Sequence, residues 1–126
     1  MNIAFSVDTN PYPQPRPRFG HGHVYEPERV KQYKSLLKFA GRSAMQGRPL
    51  FSTPICITVI IRRNIKPDSR NFGDIDNHLK AVFDALNGVC YTDDKLIFAV
   101  GAAKVRHAKP GVDIAISDAR PFLKGD

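Results

Sequence analysis

The sequence predicts an α+β fold, a mixed β-sheet with two main helices in the order β-β-α-β-α-β-β. Three observations predict it. Residues 52 to 62 place apolar side chains on both faces of a strand, the mark of a sheet centre covered on both sides. Two stretches, one opening at Glu26 and one at Asp74, repeat apolar residues at helical spacing and stop at a glycine. Short alternating strands stand at both ends of the chain. A length of 126 residues suffices for a real core without staples, so the chain is read as a single domain over 1–126.

At the start, Ile3, Phe5 and Val7 alternate on one face of a half-buried strand. Pro11, Pro13, Pro15 and Pro17 then remove backbone donors and fix φ, giving an extended arm that carries Arg16 and Arg18. A short strand around Phe19 and Val24-Tyr25 is bent by Gly20 and Gly22. Glu26-Pro27-Glu28 opens the first helix, since proline suits the first helical turn and acids there oppose the helix dipole. Val30, Tyr33, Leu37, Ala40 and Ala44 form its buried stripe, widened by Leu36. The helix runs roughly 18 residues and ends before Gly47.

After the strand of residues 52 to 62 comes a polar, basic loop of Arg62, Arg63, Asn64, Lys66, Asp68, Ser69, Arg70 and Asn71. A loop of that length in a compact domain carries function or mobility. The second helix buries Ile75, Leu79, Val82, Phe83 and Leu86 and stops at Gly88. Residues 96 to 106 and 112 to 118 read as an antiparallel hairpin, with Lys109-Pro110-Gly111 in the residue order of a type II turn.

The formal charge is +7, from 19 basic against 12 acidic residues. That balance favours a polyanionic partner, nucleic acid ahead of an anionic membrane surface. Five of the acids, Asp74, Asp76, Asp84, Asp93 and Asp94, fall in one stretch. A basic surface with one acidic spot is the pattern of an enzyme that holds a phosphate backbone and binds metal at one point. Cys56 and Cys90 have no metal spacing, and no secretory signal precedes them, so a reducing cytoplasm is the expected location. No apolar run reaches the length of a membrane span. The chain lacks a Ser-His-Asp arrangement, a phosphate-binding glycine loop and a zinc finger. Gly20-His21-Gly22-His23 reads as a loop, or as histidines near phosphate, in preference to a soft-metal site.

Asp74 and Asp76 are two apart, which inside a helix turns them about 200° from each other. They share a metal only if Asp74 lies before the regular helix, as an N-cap. Asp76 and Lys80 stack at i and i+4. Asp94 is expected to return through residues 89 to 92 and join them. Hard divalent cations such as Mg²⁺ or Mn²⁺ take carboxylate oxygens of this kind with substrate phosphate. A nearby lysine stabilises charge on the phosphate in the transition state. Taken singly, each feature is also what an ordinary fold uses: a cap, a surface pair, a turn. Together the acids repel, and a cation offsets that cost. Asp84 is read as a surface partner of Lys80. Arg16, Arg18, Arg63, Lys66, Arg70 and Phe72 are the candidate DNA contacts, with Phe72 either stacking on a base or packing at the helix entrance. The reading is a metal-dependent phosphodiester hydrolase. The alternatives are a non-catalytic nucleic-acid-binding protein and a metal-dependent nuclease of flaps or single strands.

Asp74-Ile75-Asp76-Asn77, then Lys80-Ala81, Phe83-Asp84-Ala85-Leu86 and Asp93-Asp94, resembles the RusA family of Holliday junction resolvases. Arg16-Pro17-Arg18 and Val24-Tyr25 with Pro27 are similar to the start of many members, and the resemblance runs from about residue 12 to residue 100. It implies a homodimeric, Mg²⁺-dependent endodeoxyribonuclease that cuts opposed strands of a four-way DNA junction in recombination and repair. By residue, it implies catalytic and metal-binding roles for Asp74, Asp76 and Asp94, and a catalytic role for Lys80, with Asp93 the less critical acid. Phe72-Gly73 departs from the pattern, where basic residues can precede the first acid. A four-way junction has approximate two-fold symmetry, which suits a C2 dimer. The central helix and an edge strand are the candidate interfaces.

Overall fold

The computed structural model describes residues 1–15, 18–20 and 23–123, with 18–20, 23–25 and 122 described by backbone alone. The elements are β1 (Asn2–Val7), β2 (Arg18–Gly20), β3 (His23–Tyr25), α1 (Glu28–Met45), β4 (Ile55–Arg63), α2 (Ile75–Leu86), β5 (Ile97–Arg106) and β6 (Gly111–Asp118). The α+β class and the order of elements are as the sequence predicts, with one bent strand resolved into the antiparallel pair β2 and β3.

The main sheet has the order β1-β6-β4-β5. β4 takes an inner position because its side chains are the most uniformly apolar. Ile55, Ile57, Val59 and Ile61 are buried toward the helices, the last three in register with Ile116, Ile114 and Val112 of β6. The expected cover on both faces is not found. Cys56 and Ile60 are half-buried and Thr58 is exposed, so the helices cover one face only.

The antiparallel hairpin expected of β5 and β6 is also absent. β4 lies between them, parallel to β5 and antiparallel to β6. The 107–110 connection instead passes the end of β4, where the Arg62 guanidinium donates to the Lys109 carbonyl and the His107 amide to the Arg63 carbonyl. The turn is not type II, since Gly111 does not have positive φ. A Cβ at Gly111 would lie 2.6 Å from the Val7 carbonyl, so the residue is small for close packing.

α1 has the predicted length of 18 residues and packs Val30, Tyr33, Leu37 and Met45 inward. Each such side chain contributes roughly 1.5–3 kcal/mol of burial. Leu36, expected on the stripe, is 46% exposed. α2 buries His78, Ala81, Val82, Ala85 and Leu86, a face rotated from the expected one, while Ile75, Leu79 and Phe83 are partly buried. No helix among the described residues is long and apolar enough to cross a membrane.

Candidate active site

α2 begins where the basic loop turns back toward the sheet. The turn depends on Gly73, whose φ of 91° is a left-handed conformation that disfavours side chains. A Cβ there would also lie 2.9 Å from both His78 Nε2 and Pro13 Cγ. Three side chains hold the carbonyls just before Asp74. Arg63 donates to Asn71 at 2.5 Å and to Phe72 at 3.0 Å, Lys104 donates to Gly73 at 3.1 Å, and His78 Nε2 lies 2.7 Å from the Phe72 oxygen. Carbonyls satisfied by two cations form a rigid entrance, because charge-assisted hydrogen bonds are stronger than neutral ones.

Phe72 is fully buried beneath this clamp. Arg63 lies 5.6 Å and Lys104 5.2 Å from its ring centre, and the His78 ring meets it edge-on at 5.8 Å. Its ring has no surface free to stack on a base. Packing at the helix entrance, the other reading of this residue, describes where it sits. Arg63 belongs to β4 and gives its Nη1 to two carbonyls of the loop, so it holds the loop's backbone. Lys66 and Arg70 are exposed on the loop and enter no ion pair among the described residues. Arg16 lies outside the described residues, as does the side chain of Arg18. The same holds for the side chains of the His21 and His23 segment.

Asp74 occupies the N-cap position with φ −74° and ψ 142°, before the regular helix as the spacing required. Its side chain makes no capping bond. Asp76 and Lys80 follow on one exposed helical face, and neither acid enters an ion pair among the described residues. Asp84 does not partner Lys80. It faces Lys34 of α1 at 3.6 Å, and Lys34 also meets Glu26 at 2.5 Å.

Asp93 and Asp94 lie elsewhere. Asp93 caps a 3₁₀ turn over Asp94–Leu96 by accepting from the Lys95 amide at 2.9 Å, and that bond holds its carboxyl below the usual range. This turn leads into β5 beside Ile55, at the start of β4. Asp74 sits at the opposite end, where Lys104, in register with Ile61, reaches Gly73. From Ile55 to Ile61 the strand advances about 20 Å. The expectation that Asp94 joins Asp74 and Asp76 within one chain is therefore corrected. The segment after α2 is held at the far end of the helix: Tyr91 Oη donates to the Phe83 carbonyl at 2.7 Å, and the Gly88 amide to the Tyr91 carbonyl at 2.8 Å.

Sequence reasoning missed the clamp itself. One signal for His78 was present: it falls on the apolar face of the helix, between Ile75 and Val82. Nothing local in the sequence marks Lys104, which acts across a sheet pairing. Residues 8–117 match the family profile of endodeoxyribonuclease RusA. The chain belongs to the RusA family. The match takes in the proline-bearing arm, α1, the basic loop, both acidic segments and most of β6. A relative, the uncharacterized protein YqaN of Bacillus subtilis (strain 168), is 27% identical over 139 residues, covering 92% of this chain and 96% of that protein.

RusA membership implies a divalent cation, and the residues present can be tested against one. Among the described residues no three side chains of His, Cys, Asp or Glu converge on a point. Mg²⁺ does not require three, since it binds through one or two carboxylates while water and substrate phosphate complete its shell. Asp74, with no capping bond, and Asp76 beside it are hard oxygen donors of the right kind. The donor set at the start of α2 fits such an ion.

Proposed function

We propose that this RusA-family chain resolves four-way DNA junctions as a homodimeric, Mg²⁺-dependent endodeoxyribonuclease, with Mn²⁺ as a substitute, through paired nicks on opposed strands. The observation that carries this reading is the pair of unengaged carboxylates opening α2, with Lys80 one turn on, in a chain of charge +7. Asp74 and Asp76 would hold the cation, whose chemistry there would be to offset charge on the scissile phosphate and to lower the pKa of a water. Lys80 presents its ammonium to a non-bridging or leaving oxygen. Lys66 and Arg70 contact the phosphate backbone, while Arg63, Lys104 and His78 fix the carbonyls from which Asp74 projects.

Asp94 enters through the second copy. β5 is an edge strand with Phe98, Val100 and Val105 exposed. Two β5 edges related by a two-fold pair antiparallel. The start of one, carrying Asp94, then lies beside the end of the other, where Lys104 holds Gly73. Each active site is thereby completed by its partner copy, and two sites face a substrate of the same symmetry.

The test is a labelled synthetic four-way junction compared with linear duplex, a flap and single-stranded DNA, in Mg²⁺ or EDTA. Symmetric paired nicks on the junction alone, and only with metal, are expected. Equal cutting of flaps or single strands would replace junction resolution by a broader nuclease activity. Binding without cutting under any divalent metal would leave a non-catalytic DNA-binding protein. Asp76→Asn is expected to abolish cutting. Lys80→Ala should retain junction binding and cut about 10²-fold more slowly; unchanged turnover would remove Lys80 from the mechanism.

A further inference from the structure

A second concave site lies between the strap that follows β1 and the first turns of α1. The strap of residues 9–15 leaves β1, packs Pro13 against Gly73 and donates the Gln14 amide to the Asn77 carbonyl at 2.8 Å, next to Asp76. Two residues earlier, about 7 Å along the chain, Tyr12 forms one wall of a cleft of about 160 Å³ that runs under the first turns of α1. Tyr33 meets Tyr12 edge-on at 6.0 Å, and the Arg29 guanidinium stands 5.8 Å from the Tyr12 ring centre. Thr9, Asn10 and Gln32 complete the polar lining, and Leu36 adds an apolar rim.

Several features distinguish this cleft from an ordinary surface fold. Its lining holds no carboxylate, and Arg29 enters no ion pair among the described residues. The Tyr33 hydroxyl is buried with no hydrogen-bond partner, although Tyr33 is only 2% exposed. A buried hydroxyl without a partner carries a free-energy cost that a polar ligand can relieve. The exposure of Leu36 likewise follows from its place at the rim.

We propose that this cleft takes one unpaired nucleotide of the bound DNA strand. The half-buried Tyr12 ring, backed by the buried Tyr33, is the aromatic wall that a base can meet, and contact of this kind tolerates any base. The Asn10 and Gln32 amides each offer a donor and an acceptor, which is what reading a base edge requires. Arg29, exposed and 5.8 Å from the Tyr12 ring centre, suits the attached phosphate. The strap that carries Tyr12 also bonds Asn77, the residue after Asp76, which makes the cleft a determinant of where along the strand the cut falls. This last step rests on the nuclease reading; occupancy of the cleft by a nucleotide does not.

The test separates the two. The four deoxynucleoside 5′-monophosphates, and inorganic phosphate as a control, are titrated into the full-length ¹⁵N-labelled chain without metal. Shifts centred on Asn10, Tyr12, Arg29 and Gln32 are expected, with affinities that differ among the bases and exceed that for phosphate. Gln32→Ala should change the order of preference, and Arg29→Ala should weaken all four by about tenfold. Both positions are exposed, and thermal melts of each variant check the fold. Equal binding of inorganic phosphate would reduce the cleft to an anion site and overturn the proposal. Shifts elsewhere, or none, would also overturn it. Nucleotide binding in a protein that cuts no junction would sink the nuclease reading and leave this one standing; junction cutting with no nucleotide in the cleft would do the reverse.

Discussion

His78 is the buried titratable group on which the entrance to the acidic site turns. With Nε2 2.7 Å from the Phe72 oxygen, that nitrogen carries the hydrogen, and Nδ1 is buried with no partner among the described residues. Burial is the main cause of a pKa below the ordinary 6.5, opposed by the Phe72 bond and reinforced by the Arg63 and Lys104 charges. The unfolded chain therefore takes up a proton near pH 6.5, while the folded chain resists until a lower pH. Between those two values the unfolded state binds more protons, so stability falls as pH falls below about 6.5. Urea melts from about pH 8 to about pH 5 should show that loss. His78→Gln keeps an amide donor for the Phe72 carbonyl and does not titrate. It should flatten the slope, and an unchanged slope would assign the pH dependence to other groups.

At the scale of elements, the two helices are locked by one glycine. A Cβ at Gly41 of α1 would come within 2.9 Å of Leu86 Cδ2 and 2.9 Å of Cys90 Sγ. Gly41→Ala would raise helix propensity by about 1 kcal/mol, yet overpacking a close contact costs about 1–3 kcal/mol. Net destabilisation is expected, read as a lower urea midpoint with the same slope; a higher midpoint would mean that α2 gives way easily. α1 itself was legible because its stripe, acidic start and terminal Gly47 are local signals that agree. So was the cap position of Asp74, which spacing alone required. The pairing of β5 and β6 was not legible, because a short connection suggests a hairpin while the apolar pattern of β4 demands an inner place. Competition between distant strands decided it. The face of α2 was misread by the same kind of non-local effect, since small residues such as Ala81 and Ala85 become the most buried when another helix approaches closely.

At the scale of the whole molecule, the same strand pairing decides how the acids are shared. Making β4 central sends the start of β5 to one end of the sheet and the start of α2 to the other. That leaves Asp94 and Asp74 at opposite ends of the β4–β5 pairing, a separation invisible in a sequence where the two are close. If the second copy supplies Asp94, each active site of the dimer draws on both chains, and subunit mixing exposes this. Asp76→Asn and Asp94→Asn are each expected to be inactive alone, since every site in either homodimer lacks one acid. Unfolded together and refolded, they form heterodimers in which one site carries both substitutions and the other carries neither. The mixture should recover single-strand nicking of the junction, while paired nicking stays rare because only one site per dimer is whole. If both acids instead served within one chain, every site in the mixture would remain damaged and no nicking would return. Activity that stays absent, in a mixture shown by mass spectrometry to contain heterodimers, would place Asp94 outside the shared site.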